Sequence, residues 1–397
     1  MFRSRVQAAL GQPRVLLGLY AALTLFATLQ QYLKHTIDNY KIFTLPFWHL
    51  LAGRDLYAAY PELYSVPYKY SPTFALFMGG AAVLPDWLGL LLWNVLNTVV
   101  MYTAARRLFP DQRRSLLLLL ILAIDTLTSL QNSQSNGLLL GLMLWTYLHL
   151  ENRRHLWAGL CIALAFFIKI YGIGIGLIFL FYPGWWRAAA WAVLFGVLLA
   201  LAPLLVASPA EFERLYRGWY DIVRVSTTDV QLSVMGVLQT WLGWAPPKGW
   251  IQGAGLGLLL VPLLHLRFRA EAAYRRLYVA AILIFVVIFN QMAESPTFVI
   301  AVAGFALWFL GYGRSLPRLA LVLLVLTLVF TSLSPSDLFP RAVRNELFVP
   351  YKIKAVPMLL AWAVIMAQLL FYPRWRSRLA RADADAGLPA EPTAQPA

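Results

Sequence analysis

The chain has 397 residues and a formal net charge of +15, yet only 13% of its residues are charged and 60% are hydrophobic. Soluble domains carry roughly a quarter charged residues, so this composition excludes an ordinary soluble domain and predicts an all-α polytopic integral membrane protein. The basic balance does not point to nucleic acid, because the arginines sit in short clusters between apolar runs, where the positive-inside rule puts them.

The apolar runs are continuous, which also excludes a transmembrane barrel of short alternating strands. The first predicted span covers about 15–34 and follows Arg3, Arg5 and Arg14 with no small-residue cleavage site. It reads as a start-transfer anchor that leaves the N-terminus in the cytoplasm. Residues 34–72 then form the first outer loop, rich in Tyr and carrying Asp38, Asp55, Glu62, Lys41 and Lys69. Within it FTLPFWHLL is amphipathic and is expected to lie along the interface. Residues 73–84 are too short to cross and read as a partial or re-entrant helix, followed by a span at WLGLLLWNVLNTVVMYTAA. Further spans are predicted near 115–130 and 137–150. Two short helices over 156–183 are expected to meet near Lys169 and Tyr171, and another span covers 188–206. A polar outer segment, 207–230, carries Asp221, Arg224 and Asp229, and 231–248 looks amphipathic. Spans near 250–266, 277–290, 296–312, 317–333 and 354–372 complete a set of about twelve.

That count divides the chain into a transmembrane domain over 1–373 and a cytoplasmic tail over 374–397, basic at first and then disordered. Both termini fall in the cytoplasm. Of the 33 Lys and Arg, 20 fall on inner segments and all of those are Arg, whereas all seven Lys are on outer segments. Twelve of the 18 acids are also outside. The one cysteine, Cys161, lies in an apolar run and makes no intrachain disulfide.

Charged groups near hydrocarbon are costly unless they face a cavity or a partner, which makes them functional candidates. Asp38 sits just beyond the first span, where a base meets a substrate at the membrane surface, or is a solvated loop acid. QNSQSN, with Gln131, Gln134 and Asn136, offers amides that suit sugar hydroxyls, or is a plain turn; Asp125 lies just before it. Lys169 and Glu294 are each flanked by apolar helix; Lys169 suits a phosphate and Glu294 a hydroxyl or a cation, or the two pair with each other. Tyr70 and its neighbouring tyrosines suit a membrane-interface belt or a sugar-stacking surface. The five His show no metal-ligand spacing, and GIGIG at 172–176 is a helix-packing or kink motif, not a nucleotide loop. No soluble nucleotide cofactor is expected, and no metal ligands are assigned, although a divalent metal stays open.

At these residues the chain resembles the GT-C membrane glycosyltransferases, specifically glycosyltransferase family 87. The resemblance is carried by Asp38, by Leu51-Ala52-Gly53-Arg54-Asp55-Leu56-Tyr57, by Tyr70-Ser71-Pro72 and by Leu84-Pro85. LWNVLN, QNSQSNGLLLGL, AGLCIALAFFIKIYG and NQMAESPTF continue it. Counting back from Gly53, the family's Asp falls on Asn39, which cannot take a proton. Another departure is Tyr171-Gly172, where the family commonly has a nearby Pro. The resemblance implies inverting transfer of a sugar, a hexose such as mannose or an arabinofuranose, from a polyprenyl-phosphate carrier. The acceptor is a lipid or glycan, and the site is on the extracytoplasmic face of the plasma membrane. The base is then Asp38, Asp55 or Glu294, with Lys69 and Lys169 on the phosphate and Asn39, Tyr70, Gln131, Gln134 and Asn136 around the substrate. On this basis Asp38→Asn is expected to abolish transfer. A lipid or solute transporter and a non-catalytic envelope scaffold are the rival classes.

Overall fold

The computed structural model describes residues 12–64, 66–225 and 230–384; Arg3, Arg5, Asp229 and residues 385–397 lie outside them. Among the described residues all regular structure is helical. Helix α1 spans Pro13–Leu33, α2 Asp38–Leu51, α3 Pro72–Phe77, α4 Gly79–Ala82, α5 Asp86–Ala105, α6 Gln112–Gln131, α7 Asn136–Glu151 and α8 His155–Ile168. After a 3-10 segment at Ile170–Phe181 come α9 (Trp185–Leu201), α10 (Pro209–Val225), α11 (Val234–Leu242), α12 (Lys248–Leu260), α13 (Ala272–Ile288) and α14 (Phe298–Tyr312). The chain closes with α15 (Pro317–Leu326), α16 (Val356–Leu370) and α17 (Tyr372–Ala384).

Among the described residues six segments are long and apolar enough to cross a membrane: Pro13–Leu33, Asp86–Ala105, Gln112–Gln131, Trp185–Leu205, Ser295–Ser315 and Ile353–Leu370. Of the other expected crossings, His155–Ile168, Ile170–Phe181, Lys248–Leu264 and Pro317–Ser332 are shorter apolar helices, as is Pro72–Ala82, which was expected only as a partial or re-entrant helix. Local chemistry cuts them short. Lys169 stands extended between α8 and the 3-10 segment, Pro262 tightens the end of α12 into a 3-10 turn, and α15 runs into a π-turn at Thr327–Ser332.

Burial sorts the helices into inner and outer. Ser295–Ser315 is 89% buried inside the protein, whereas Trp185–Leu205 has the highest hydropathy of the six and is only 11% buried. The first is a central helix packed on every side; the second turns its side chains outward to lipid. Gly304 sits where a methyl group would lie 2.6 Å from the carbonyl of Ala280, so α13 and α14 approach through a small residue.

Short polar contacts fix the two ends of the bundle. At the end carrying residues 34–72, Gln31 donates to the carbonyl of Gln131 (2.6 Å) and to Ser133 (2.8 Å), and Trp93 Nε1 donates to the carbonyl of Ser133 (2.8 Å). At the other end Arg275 pairs with Glu151 at 2.9 Å, and the Tyr182 hydroxyl donates to the same carboxylate at 2.7 Å. Between them, Asp125 of α6 is fully buried. It accepts from Ser332 at 2.5 Å and pairs with buried Lys354 at 3.4 Å. Asp125 therefore ties α6 to the segment leading into α16.

The basic start of the tail is helical: α17 docks on the bundle through Tyr372, which donates to Glu271 (2.9 Å), through the Arg376–Glu271 pair (3.0 Å) and through buried Leu379. One sequence expectation needs correction: the loop tyrosines are not a membrane belt. Tyr64 and Tyr68 are buried, and rings 57, 60, 64, 68 and 70 pack on one another and on His49. A loop this polar still needs an apolar centre to hold one shape, and its tyrosines supply it.

Candidate active site

A cavity of about 250 Å³ opens at the end of the bundle that carries residues 34–72. Its floor is the tip of a hairpin. Helix α8 and the 3-10 segment run antiparallel, as the glycines between them show: a methyl at Gly172 would lie 2.8 Å from the carbonyl of Ala165, and one at Gly176 2.7 Å from Ile162. The GIGIG motif is thus a packing motif that closes the hairpin, and it puts Lys169 at the tip. There Lys169 Nζ donates to Asn136 Oδ1 at 2.8 Å and to Gln134 Oε1 at 3.3 Å. The ammonium also stands 5.9 Å from the centre of the Tyr70 ring and 6.0 Å from that of Tyr171, within cation–π range. It is a cation held by dipoles and ring faces, with no carboxylate bound to it among the described residues.

One wall is the first outer loop. Gly53 ends α2 in the left-handed region (φ +63°), and its carbonyl accepts from Arg214 of α10 at 2.9 Å. Leu56 is fully buried, and the Tyr57 hydroxyl donates to the carbonyl of Tyr70 at 3.1 Å. Ser71 caps α3 by accepting from the amide of Phe74 (3.0 Å), while its hydroxyl donates to the carbonyl of Phe167 (2.6 Å). That bond fastens the loop to the hairpin tip and sets Lys69 and Tyr70 over Lys169. Burial, and then the nearby Glu294 carboxylate, hold the Tyr70 phenol well above its ordinary range, so it stays a neutral donor.

Glu294 stands across the cavity, in the connection between α13 and α14, and its charge acts on Lys169, Tyr70 and Tyr171. No salt bridge joins it to Lys169 among the described residues; the two groups face the same space without closing on each other. Asn290 and Thr297 flank Glu294 in the lining, and Trp219 of α10 forms the roof.

Of the ten residues singled out from sequence, Asn39, Lys69, Tyr70, Gln134, Lys169 and Glu294 line this one cavity, and Asn136 touches it through Lys169. The other three do not. Asp38 opens α2 with its side chain exposed, whereas the next residue, Asn39, turns inward and donates to the carbonyl of Asn132 at 3.0 Å. Asp55 lies on a separate open groove with Arg214 and Arg217. Gln131 bonds Gln30 at 2.5 Å and serves the α1–α6 contact. Trp219 and Asn290 were not expected from sequence. The signal for Trp219 was the 3–4 spacing of Phe212, Leu215, Tyr216, Trp219 and Ile222 in a segment taken only as polar. Among the described residues no three His, Cys, Asp or Glu side chains gather as a metal-ligand set.

The model of glycosyltransferase family 87 matches residues 68–296. A comparison with curated proteins returned no match. The matched region is more than half of the chain and holds the hairpin, Lys69, Tyr70, Gln134, Trp219 and Glu294. A cavity of facing carboxylate and ammonium groups, lined by amides and aromatic rings, thus lies largely inside the matched region, and the chain belongs to glycosyltransferase family 87.

Proposed function

We propose that this cavity transfers one sugar from a polyprenyl-phosphate carrier to a hydroxyl of a lipid or glycan acceptor, on the extracytoplasmic face of the plasma membrane. The observation that carries the reading is the placing of Glu294 opposite Lys69 and Lys169 around a single amide- and aromatic-lined space. At about 250 Å³ the space falls just below the ~300–1,000 Å³ of drug-sized ligand sites, which suits one monosaccharide. Glu294 takes the proton of the acceptor hydroxyl. The acceptor oxygen then bonds to the anomeric carbon as the bond from that carbon to the phosphate oxygen breaks, with inversion, and the electron pair leaves with the phosphate. Charge grows on that phosphate, where fixed cations are worth most. Lys169 is preset for this by its two amide acceptors, and Lys69 joins it from the loop. Asn39, Gln134 and Asn136 hold hydroxyls or position the cation, and Tyr70 and Trp219 offer ring faces to the sugar. In this reading the shorter apolar helices complete a GT-C-like bundle of about twelve crossings, and the arginine-rich end faces the cytoplasm.

The test is turnover by purified protein of polyprenyl-phospho-mannose and polyprenyl-phospho-arabinofuranose, read as release of polyprenyl phosphate. Glu294→Gln should lower it by ~10²–10⁴-fold, the usual worth of a positioned base, with an unchanged melting temperature. Asp38→Asn should leave it near the wild-type rate, because that side chain is exposed and does not line the cavity. Full turnover by Glu294→Gln would exclude Glu294 as the base, and loss in Asp38→Asn alone would return that role to the loop.

A further inference from the structure

The end of the bundle that carries the cavity has a second recess, an open groove of about 660 Å³ between the first outer loop and α10. Asp55 and Tyr57 form one side, and Arg214, Arg217 and Asp221 of α10 form the other. A single contact separates it from the cavity. Tyr57 lines the groove, and its hydroxyl donates at 3.1 Å to the carbonyl of Tyr70, which lines the cavity. Helix α10 serves both spaces, with Trp219 over the cavity and its neighbour Gly218 in the groove. The groove is held in shape from both sides. The Tyr57 amide donates to Asp55 Oδ1 at 2.9 Å, and the Tyr60 hydroxyl donates to the Asp55 carbonyl at 2.8 Å. Arg214 crosses to the Gly53 carbonyl at 2.9 Å, and Arg217 pairs with Glu213, one turn away, at 2.5 Å. A methyl at Gly218 would lie 2.6 Å from the Tyr57 ring, so helix and loop are in direct contact.

The polar groups of the groove are of both kinds: the carboxylates of Asp55, Glu213 and Asp221 accept, and the guanidinium groups of Arg214 and Arg217 donate. That mixture selects a ligand. A hydroxyl both donates and accepts, and a sugar carries several side by side, so it uses carboxylate and guanidinium together. A phosphate would meet three carboxylates, and an acyl chain would find little apolar wall beyond Ala210 and Ile222. At about 660 Å³, against about 250 Å³ for the cavity, the groove has room for more than one sugar unit. We propose that the acceptor is a glycan of several sugar units and that this groove is its subsite. The terminal unit enters the cavity, and the units before it lie along Asp55, Arg217 and Asp221. The proposal rests on the transfer reading for the terminal unit alone; the hold of the groove on the preceding units is measurable without turnover.

The experiment compares one-unit and three-unit methyl glycosides, in a mannose series and an arabinofuranose series, on the full chain in detergent. Binding is read by microscale thermophoresis, and transfer by release of polyprenyl phosphate. In one series wild-type protein should bind the three-unit glycoside about 10-fold more tightly than the one-unit glycoside, the worth of a hydrogen bond to a charged group. Transfer should show the same ratio in acceptor KM at similar kcat. Asp221→Asn and Arg217→Gln should each remove most of that preference. Glu62→Gln, an exposed acid of the same loop outside the groove, should keep it. All three changes are at exposed side chains. Unchanged melting temperatures establish that the variants are folded, and Asp55→Asn stands in for either groove variant that is not. Equal binding of one-unit and three-unit glycosides by wild-type protein in both series would overturn the proposal. So would a full preference in the combined Asp221→Asn and Arg217→Gln variant. A preference lost in the groove variants, with no polyprenyl phosphate released from either donor, would support the glycan site and count against the transfer reading alone.

Discussion

At Lys169, next to apolar helix, two amide oxygens and two ring faces stand around the side-chain nitrogen where water would otherwise be. A carboxylate in that role would pair with the ammonium and cancel the charge that the proposed leaving phosphate would need; amide dipoles orient a cation without neutralising it. His49 shows the reverse case. It is 4% exposed, its ring lies 4.2 Å from that of Tyr60, and burial, then Arg54, hold its pKa below the ordinary 6.5. The folded loop therefore binds fewer protons than the unfolded chain, so its stability is full above about pH 6.5 and is lost as pH falls below that. The melting temperature of wild-type protein should drop between pH 7 and pH 5, and His49→Gln should flatten that drop. Single residues were also where the sequence was hardest to read. Asp38 and Asn39 are adjacent, and only the register of α2 decides which faces the cavity, since neighbours on a helix are turned about 100° apart. Residue type favoured the acid at 38; the helix turned the amide at 39 inward.

At the scale of elements, the hairpin of α8 and the 3-10 segment positions the cation, and its geometry rests on glycine. In Gly172→Ala the new methyl would meet the Ala165 carbonyl and Leu139, both at 2.8 Å. Overpacking of this kind costs ~1–3 kcal/mol and would shift Lys169, so thermal stability and turnover should fall together. Gly196→Ala in α9, where the added methyl meets nothing within 4 Å, should leave both intact. The buried Asp125–Lys354 pair makes a separate test. Lys354→Met strands a buried carboxylate and should cost ~3–5 kcal/mol in denaturation. Adding Asp125→Asn should recover much of the loss by removing the stranded charge. The break at Lys169 was legible because a lysine between two apolar runs has few places to go. Helix α10 was not, because its inward face is aromatic and its outward face charged, and a reading weighted to polarity saw only the charges. The loop tyrosines misled for a similar reason: a ring that suits an interface also suits a small core, and burial alone distinguishes them.

Over the whole molecule, charge type is sorted by end. Two lysines, Lys69 and Lys169, and the Glu294 carboxylate line the cavity, and the opposite end carries the Glu151–Arg275 pair. Side-specific labelling tests this cleanly, because Cys161 is the sole cysteine and is buried. Combined with Cys161→Ala, Lys69→Cys and Arg113→Cys should react with an impermeant maleimide from opposite sides of the membrane. Labelling of both from one side would invert the arrangement of the bundle. Helix number was legible only in outline, because apolar runs mark where a chain enters the bilayer without showing where it stops. The hairpin is the case that matters. Its arms, of 14 and 12 residues, reach only ~21 and ~24 Å, less than the ~30 Å of hydrocarbon. With the arms starting at one edge of the hydrocarbon, Lys169 would lie below the opposite headgroups, and in the proposed transfer a carrier docking there would draw its phosphate down out of the water. Depth would then shield the activated sugar from stray hydrolysis, and an acceptor would have to reach down into the recess.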